Sequence, residues 1–221
     1  MERTLPLPPR GTGLWNKEKY PTATTIFSKW AEIGKDEGMA NGHTNSVNFM
    51  FNKIEPYFNN EFSALDVGCG NGWVVRKFKE LINCKLSVGI DGAKKMIEKA
   101  NIIDTQNKYV CEDLLTWKPK YSFDIIHSME VLYYLENPSD FIKIIYTKWI
   151  NPSGCFIFGI DHYFENKPSI NWPRYIGVNM NTQSIEFWIN AMKMAGFKNI
   201  QYWQAGAKDD WHGTLVVFGE K

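Results

Sequence analysis

The sequence predicts an α/β fold: a doubly wound, mostly parallel sheet with an antiparallel hairpin at its C-terminal edge and a helical cap at the N-terminus. Three observations predict it. From residue 62 onward, short apolar runs alternate with stretches of helical period, the pattern of a parallel sheet with helices on both faces. The first of those runs leads into "ALDVGCGNGW" at 64–73, where glycine recurs at 68, 70 and 72 before a helical stretch. Two strand-like runs then stand next to each other at the end of the chain, which calls for an antiparallel pair.

The elements follow in order. Residues 1 to about 20 are rich in Pro, Gly and charge and read as a loose arm. In the stretch 22–40, Ile26, Trp30 and Ile33 recur at helical spacing. Val47, Met50, Phe51 and Ile54 do the same within 44–57. Residues 1–58 thus form an arm and cap, and 59–221 the main domain. "SALDV" (63–67) is a strand, and "WVVRKFKELI" (73–82) a helix with Val74, Val75, Phe78 and Leu81 on one stripe. Strands at 85–90, 108–112 and 123–128 follow, with a helix over 93–102 between the first two. Asn137 before Pro138 marks a helix start, and that helix runs through Lys148. A strand at 154–160, a helix from Ser184 ended by Gly196, and the runs "NIQYWQA" and "GTLVVFGE" complete the order.

Charge and cysteines narrow the function. The 25 basic and 24 acidic side chains give a net charge of +1. That provides no electrostatic drive toward nucleic acid or a membrane surface. Cys69, Cys84, Cys111 and Cys155 have no CxxC spacing, so neither a zinc knuckle nor a redox motif is expected. Asp161 alone offers little toward a metal. The N-terminus lacks the apolar core of a signal peptide and no run reaches the ~20 residues of a membrane helix, so the expected setting is cytoplasmic.

The glycines carry the chemistry. In such a sheet, ligands bind outside the carboxyl ends of the strands. Bare backbone there lets a cofactor lie against N–H groups at a helix N-terminus. A nicotinamide site wants a helix-packing glycine three places after the second one; that position, counted from Gly70, is Trp73. A phosphate-cradling loop wants Lys-Ser/Thr, and none follows.

The run Asp66-x-Gly68-x-Gly70-x-Gly72, with the order of elements over about 60–220, resembles class I S-adenosylmethionine-dependent methyltransferases. The resemblance implies that the glycine turn supports the methionine part of the cofactor and that Asp66 helps hold the turn and the amino end. Cys69, Asn71, Gly92 and Met96 complete the expected contacts. Asp91, ending "SVGID", takes the ribose hydroxyls in such enzymes; capping the next helix is the plain alternative, and both can hold. Asp113 with Leu114, or Glu112 if the register is one residue off, would reach the adenine. Ser128 and Met129 would lie beside the sulfonium. Related small-molecule enzymes carry an E-x-L-x-H-like run here. Glu130, Leu132 and Tyr134 occupy it, so the histidine is absent.

The family resemblance also implies in-line methyl transfer to a small N, O or S acceptor, with S-adenosylhomocysteine as product. A non-catalytic binding module on the same fold is the alternative. The Asn/Asp-Pro-Pro-Tyr run of nucleobase and glutamine methylation is missing. Candidate proton acceptors are His43 and His162, each with a structural role as its alternative, and Tyr134. Tyr20, Trp30, Tyr133, Tyr163, Trp172, Arg174 and Tyr175 are expected to wall the acceptor pocket, the last four from an aromatic segment at 161–181 that would fold over the substrate. Oligomeric state is not encoded in any motif.

Overall fold

The computed structural model describes residues 20–221; the arm expected over 1 to about 20 lies almost wholly outside the described residues. Seven strands form one sheet: β1 (Phe62–Val67), β2 (Cys84–Asp91), β3 (Lys108–Cys111), β4 (Phe123–Met129), β5 (Ile150–Ile160), β6 (Lys198–Ala205) and β7 (Thr214–Glu220). Their order is β3-β2-β1-β4-β5-β7-β6. The first five run parallel, and β7 pairs antiparallel with both β5 and β6. The chain moves outward from β1 to β3 and then returns to β4, beside β1. This reversal opens a crevice at the carboxyl ends of β1 and β4, where open α/β sheets bind ligands.

The two faces follow from strand alternation. Leu65 and Val67 of β1 pack with Phe141, Ile142, Trp188 and Met192, which lie on α5 (Pro138–Ile144) and α6 (Ile185–Ala195). Ala64 points the other way, toward Val47, Met50 and Phe51 of α2 (Lys35–Lys53) and Val74 and Phe78 of α3 (Trp73–Lys79). Buried Ile97 of α4 (Lys94–Ile103) joins Val75 of α3 and Cys69 on that side. Cys69, Cys84 and Cys155 are buried and Cys111 is exposed, all as free thiols.

The cap differs from its sequence reading. The first helix, α1 (Ala23–Glu32), starts on Thr22, whose side chain accepts the Thr25 N–H. It has no buried residue, and Ile33 is 67% exposed. The break falls at Gly34, held at φ +74°, which glycine adopts without a Cβ penalty. From there α2 runs unbroken through Gly38 and Gly42, instead of beginning near 44. Periodicity alone does not tell a helical glycine from a left-handed one. Asn137 occupies the N-cap position of α5 but makes no side-chain capping bond, and the end of that helix widens into a π-type turn over Ile145–Trp149. Ser184 and Gly196 cap α6 as expected, through a bond to the Phe187 N–H and a φ of +110°.

Among the described residues no helix is long and apolar enough to cross a membrane.

Candidate functional site

A cavity of about 300 Å³ opens at the carboxyl ends of β1, β2 and β4, within the size range of small-ligand sites. Its floor is the glycine turn. Gly68 (φ +71°), Gly70 (φ +53°) and Gly72 (φ +79°) all adopt left-handed backbone. Close approach adds a second demand at Gly68, where a Cβ would stand 2.2 Å from Val131 Cγ2, a residue of the segment leaving β4. At Gly70 the reason is different. A Cβ there would meet only Met96 Sδ, at 3.9 Å, and would otherwise stand in the open space of the cavity.

Three carboxylates knit this floor together. Asp91 accepts the Gly70 N–H through Oδ2 (2.9 Å) and the Ala93 N–H through Oδ1 (2.7 Å), so it braces the turn and the entry to α4 at once. Burial pushes its carboxyl above the usual range, and those two bonds oppose the rise. Asp66 meets His127 Nδ1 at 2.7 Å with both side chains buried; burial raises its carboxyl too, and the imidazole pulls it back. Asp36, at the start of α2, accepts from Asn71 Nδ2 (2.8 Å) and pairs with Lys99 of α4 (2.9 Å). Asn71 Oδ1, also buried, has no partner within the protein.

The cap forms the roof. Thr22, Ala23, Thr24, Phe27, Asp36, Met39, Ala40 and His43 line the cavity from above. The structure therefore brings together Asp66, Gly68, Cys69, Gly70, Asn71, Asp91, Gly92, Met96, Asp113, Leu114, Met129, Tyr134 and His43 around one space. Asp113 Oδ1 accepts the Leu115 N–H at 2.7 Å, which fixes the register at Asp113; Glu112 does not line the cavity.

Several expected site residues lie elsewhere. Ser128 is buried, and its hydroxyl donates to the Val67 carbonyl at 3.0 Å. His162 is fully buried, with Nδ1 on the Ser169 carbonyl (2.9 Å) and Nε2 on the Thr182 hydroxyl (2.8 Å). Both ring nitrogens are engaged, so it has no free site for an acceptor's proton. Tyr163 donates to the Gly213 carbonyl and accepts from Gln204 Nε2, each at 3.0 Å. Trp172 stacks between His162 and Trp211 at 6.5 and 6.0 Å. Arg174 and Tyr175 are exposed, the latter 78%. The 161–181 segment thus folds against β7 and its preceding loop, not over the cavity. Tyr163 is buried in the core and Trp172 packs against it, while Tyr175 is exposed; pattern reading does not distinguish such aromatics from a pocket wall. Trp30 stands behind Phe27, edge-on at 5.2 Å, and Tyr20 does not line the cavity either. Tyr133 is buried one layer back; its hydroxyl donates to Glu130 Oε2 at 2.7 Å.

The sequence pointed to no metal, yet the structure gathers His43, Glu130 and Asp161 with one ligand atom each inside 4.8 Å. Glu130 lines the cavity at φ +61°, a backbone state that costs a non-glycine residue on the order of 1–3 kcal/mol. It is clamped by its N–H on the Gly159 carbonyl and by accepting the Asp161 N–H on Oε1. Burial, then the charge of Asp161, hold its carboxyl well above the usual range. Asp161 accepts from Thr214 and faces His43 Nε2 at 3.8 Å. Burial lowers the His43 pKa below 6.5 against the pull of Asp161, leaving a neutral ring at neutral pH. The sequence signal for Glu130 was its place in the run after β4. For Asp36 there was none, because its partners come from 35 and 63 positions away.

Burial lowers the His162 pKa to about 4. The unfolded chain, with an ordinary value near 6.5, binds its proton first as pH falls. The stability from this neutral ring is complete above pH 6.5 and is lost progressively toward pH 4, by about 3 kcal/mol. A His162→Asn variant will show a correspondingly shallower loss over that window in urea unfolding followed against pH. A slope equal to that of the wild type would contradict this.

The parallel core, the glycine turn at the switch point and the braced acid at the end of β2 define the class I fold of S-adenosylmethionine-dependent methyltransferases. Residues 41–202, well over half of the chain, match the methyltransferase domain family. The chain belongs to that family. A curated relative, the malonyl-[acyl-carrier protein] O-methyltransferase of Halalkalibacterium halodurans, is 27% identical over 113 residues, 47% of this chain and 41% of that protein. The chain thus spans less than half the length of this relative. Two solved structures share the fold. One is the partner of the Trm112 methyltransferase activator from Haloferax volcanii (TM-score 0.75, 24% identity, 88% of this chain and 96% of that one). The other is the N-methyltransferase NodS of Bradyrhizobium japonicum, solved with S-adenosylhomocysteine (TM-score 0.62, 18% identity, 79% of this chain and 84% of that one).

Proposed function

We propose that the protein transfers the methyl group of S-adenosylmethionine to a small-molecule acceptor, releasing S-adenosylhomocysteine. One observation carries this reading: a single roofed cavity joins the glycine turn and Asp91 at one end to Glu130, Tyr134 and His43 at the other. The fit of the cofactor rests on the open space over Gly70, on the buried Asn71 Oδ1 left without a donor, and on the acid at the end of β2.

In this reading Asp91 takes the ribose hydroxyls, Asp113 and Leu114 the adenine, and residues 66–71 the methionyl part. The cofactor supplies an already activated methyl group, so the chain's main task is alignment, which can contribute ~7–11 kcal/mol. Met129, Tyr134 and the cap helices hold the acceptor in line and keep water out. His43, neutral and facing the cavity, takes the proton that the acceptor loses. The roof favours a small acceptor over a macromolecule, because eight cap residues narrow the space above the floor. A cytoplasmic setting accords with the free, mostly buried thiols.

Incubation with methyl-labelled cofactor and a small-metabolite extract tests this directly. Label in a small molecule, identified by mass, is expected. Cofactor binding with no small-molecule product would favour the binding-module alternative. A His43→Ala variant will lower kcat about a hundredfold, the scale of a lost general base, while its cofactor affinity by calorimetry stays within about twofold of the wild type.

A further inference from the structure

We infer that the acceptor is a basic amine, bound as its ammonium at Glu130 with Asp161 and His43 behind it. This deepens the reading above and rests on that cavity holding both donor and acceptor. Asp36, Asp66, Asp91, Asp113 and Glu130 line the space, and among the described residues its wall carries no Lys or Arg. Four of these acids are engaged at the donor end: Asp36 by Lys99 and Asn71, Asp66 by His127, Asp91 by two backbone N–H groups, Asp113 by another. Glu130 is the one at the acceptor end. Each of its oxygens receives a single bond, from the Asp161 N–H and the Tyr133 hydroxyl. A carboxylate offers about four acceptor positions, so lone pairs remain for a ligand.

The setting suits a cation. Glu130 and Asp161 sit side by side, and two carboxylates in one site resist joint ionisation unless positive charge enters. Phe27 and Tyr134, edge-on at 5.2 Å, add the aromatic surroundings that attract an organic cation. The same wall argues against a carboxylate acceptor, which would bring a further negative charge beside Glu130. A divalent metal at the same three groups is the competing occupant. Mg²⁺ or Ca²⁺ wants six or more oxygen ligands or retained waters, whereas the cavity wall also carries Phe27, Met39, Met129 and Tyr134. The step balances without a further reagent. The ammonium passes one proton to His43 Nε2. The freed lone pair then forms the N–C bond as the C–S bond breaks, its electrons remaining on sulfur as a neutral thioether.

The experiment locates the label. Products from the extract are separated on a cation exchanger at neutral pH and treated with mild base. Label on a base-stable, retained amine is expected. Label released as methanol, the mark of a methyl ester, or held in an unretained ether or thioether would overturn the inference while leaving the methyltransferase reading intact. No labelled small molecule at all would overturn both. With the amine identified, Glu130→Gln will raise its KM at least about tenfold, the loss of one charged hydrogen bond. Phe27→Leu will raise it about threefold. Calorimetry will show cofactor affinity unchanged within about twofold in both variants, which also reports that they fold. An unaltered KM in both, or turnover abolished by EDTA and restored by Mg²⁺, would contradict the proposal.

Discussion

Replacing Asp91 with alanine will weaken cofactor binding at least about a hundredfold. Two hydroxyl bonds to a carboxylate are worth roughly 1.5–3 kcal/mol each, and every 1.4 kcal/mol is a factor of ten in affinity. The substitution also leaves the Gly70 and Ala93 N–H groups without their acceptor, so the turn loses its brace at the same time. Asp91→Asn keeps one carbonyl oxygen and should cost less, about tenfold. Stability will not follow affinity. Burial raises the Asp91 carboxyl above the usual carboxylate range. Stability is therefore lost in the empty protein as pH rises from the ordinary carboxylate range through that raised value, and the loss is complete above it. At pH 7 the asparagine variant escapes that cost but turns its Nδ2 toward one of the two N–H groups, which offsets the gain, so it is expected to melt within a few degrees of the wild type. Calorimetric titration with the cofactor beside thermal unfolding separates the two effects. Affinity within threefold of the wild type in Asp91→Ala would remove this residue from the cofactor site.

Gly68→Ala is the second large effect, and it acts on folding as well as binding. The backbone there sits at φ +71°, and the new methyl would stand 2.2 Å from Val131 Cγ2. A left-handed alanine costs about 1–2 kcal/mol, and overpacking about 1–3 more. For a chain of 221 residues the sum lowers the melting temperature by about 10 °C. Two controls divide the loss. Gly34→Ala has a similar φ of +74° with open space around it, and should show the backbone share alone. Gly68→Ala combined with Val131→Ala should recover the packing share. If Gly68→Ala melts no lower than Gly34→Ala, the close approach between the β1 turn and the segment after β4 is not rigid. Because Val131 lines the cavity, its displacement also predicts weaker cofactor binding in the variant.

The sheet was legible because its signals are local. Apolar runs of strand length, Pro138 and Gly196 at helix ends, and the glycine turn each mark an element through a few neighbouring residues. The cavity floor was legible for the same reason: Asp66, the glycine turn and Asp91 sit at the ends of strands that the alternation predicts. The acceptor end was not. An aromatic-rich segment such as 161–181 has the composition of a pocket wall and of a core layer alike. Only the hydrogen bonds of His162 and Tyr163 reveal which it is. Asp36 was hidden because a buried acid near a helix start looks like any first-turn carboxylate until Asn71 and Lys99 are folded onto it. The break at Gly34 escaped because three glycines within nine residues, 34, 38 and 42, carry the same letter and only one has positive φ.

The most direct test of the central claim is a crystal structure of the protein grown with S-adenosylhomocysteine. The account predicts the ribose hydroxyls within hydrogen-bonding distance of Asp91, the homocysteine chain against residues 68–71, and the sulfur pointing toward Met129 and Glu130. Nucleoside density at any other place, or an empty floor above Gly70 at saturating ligand, would contradict it.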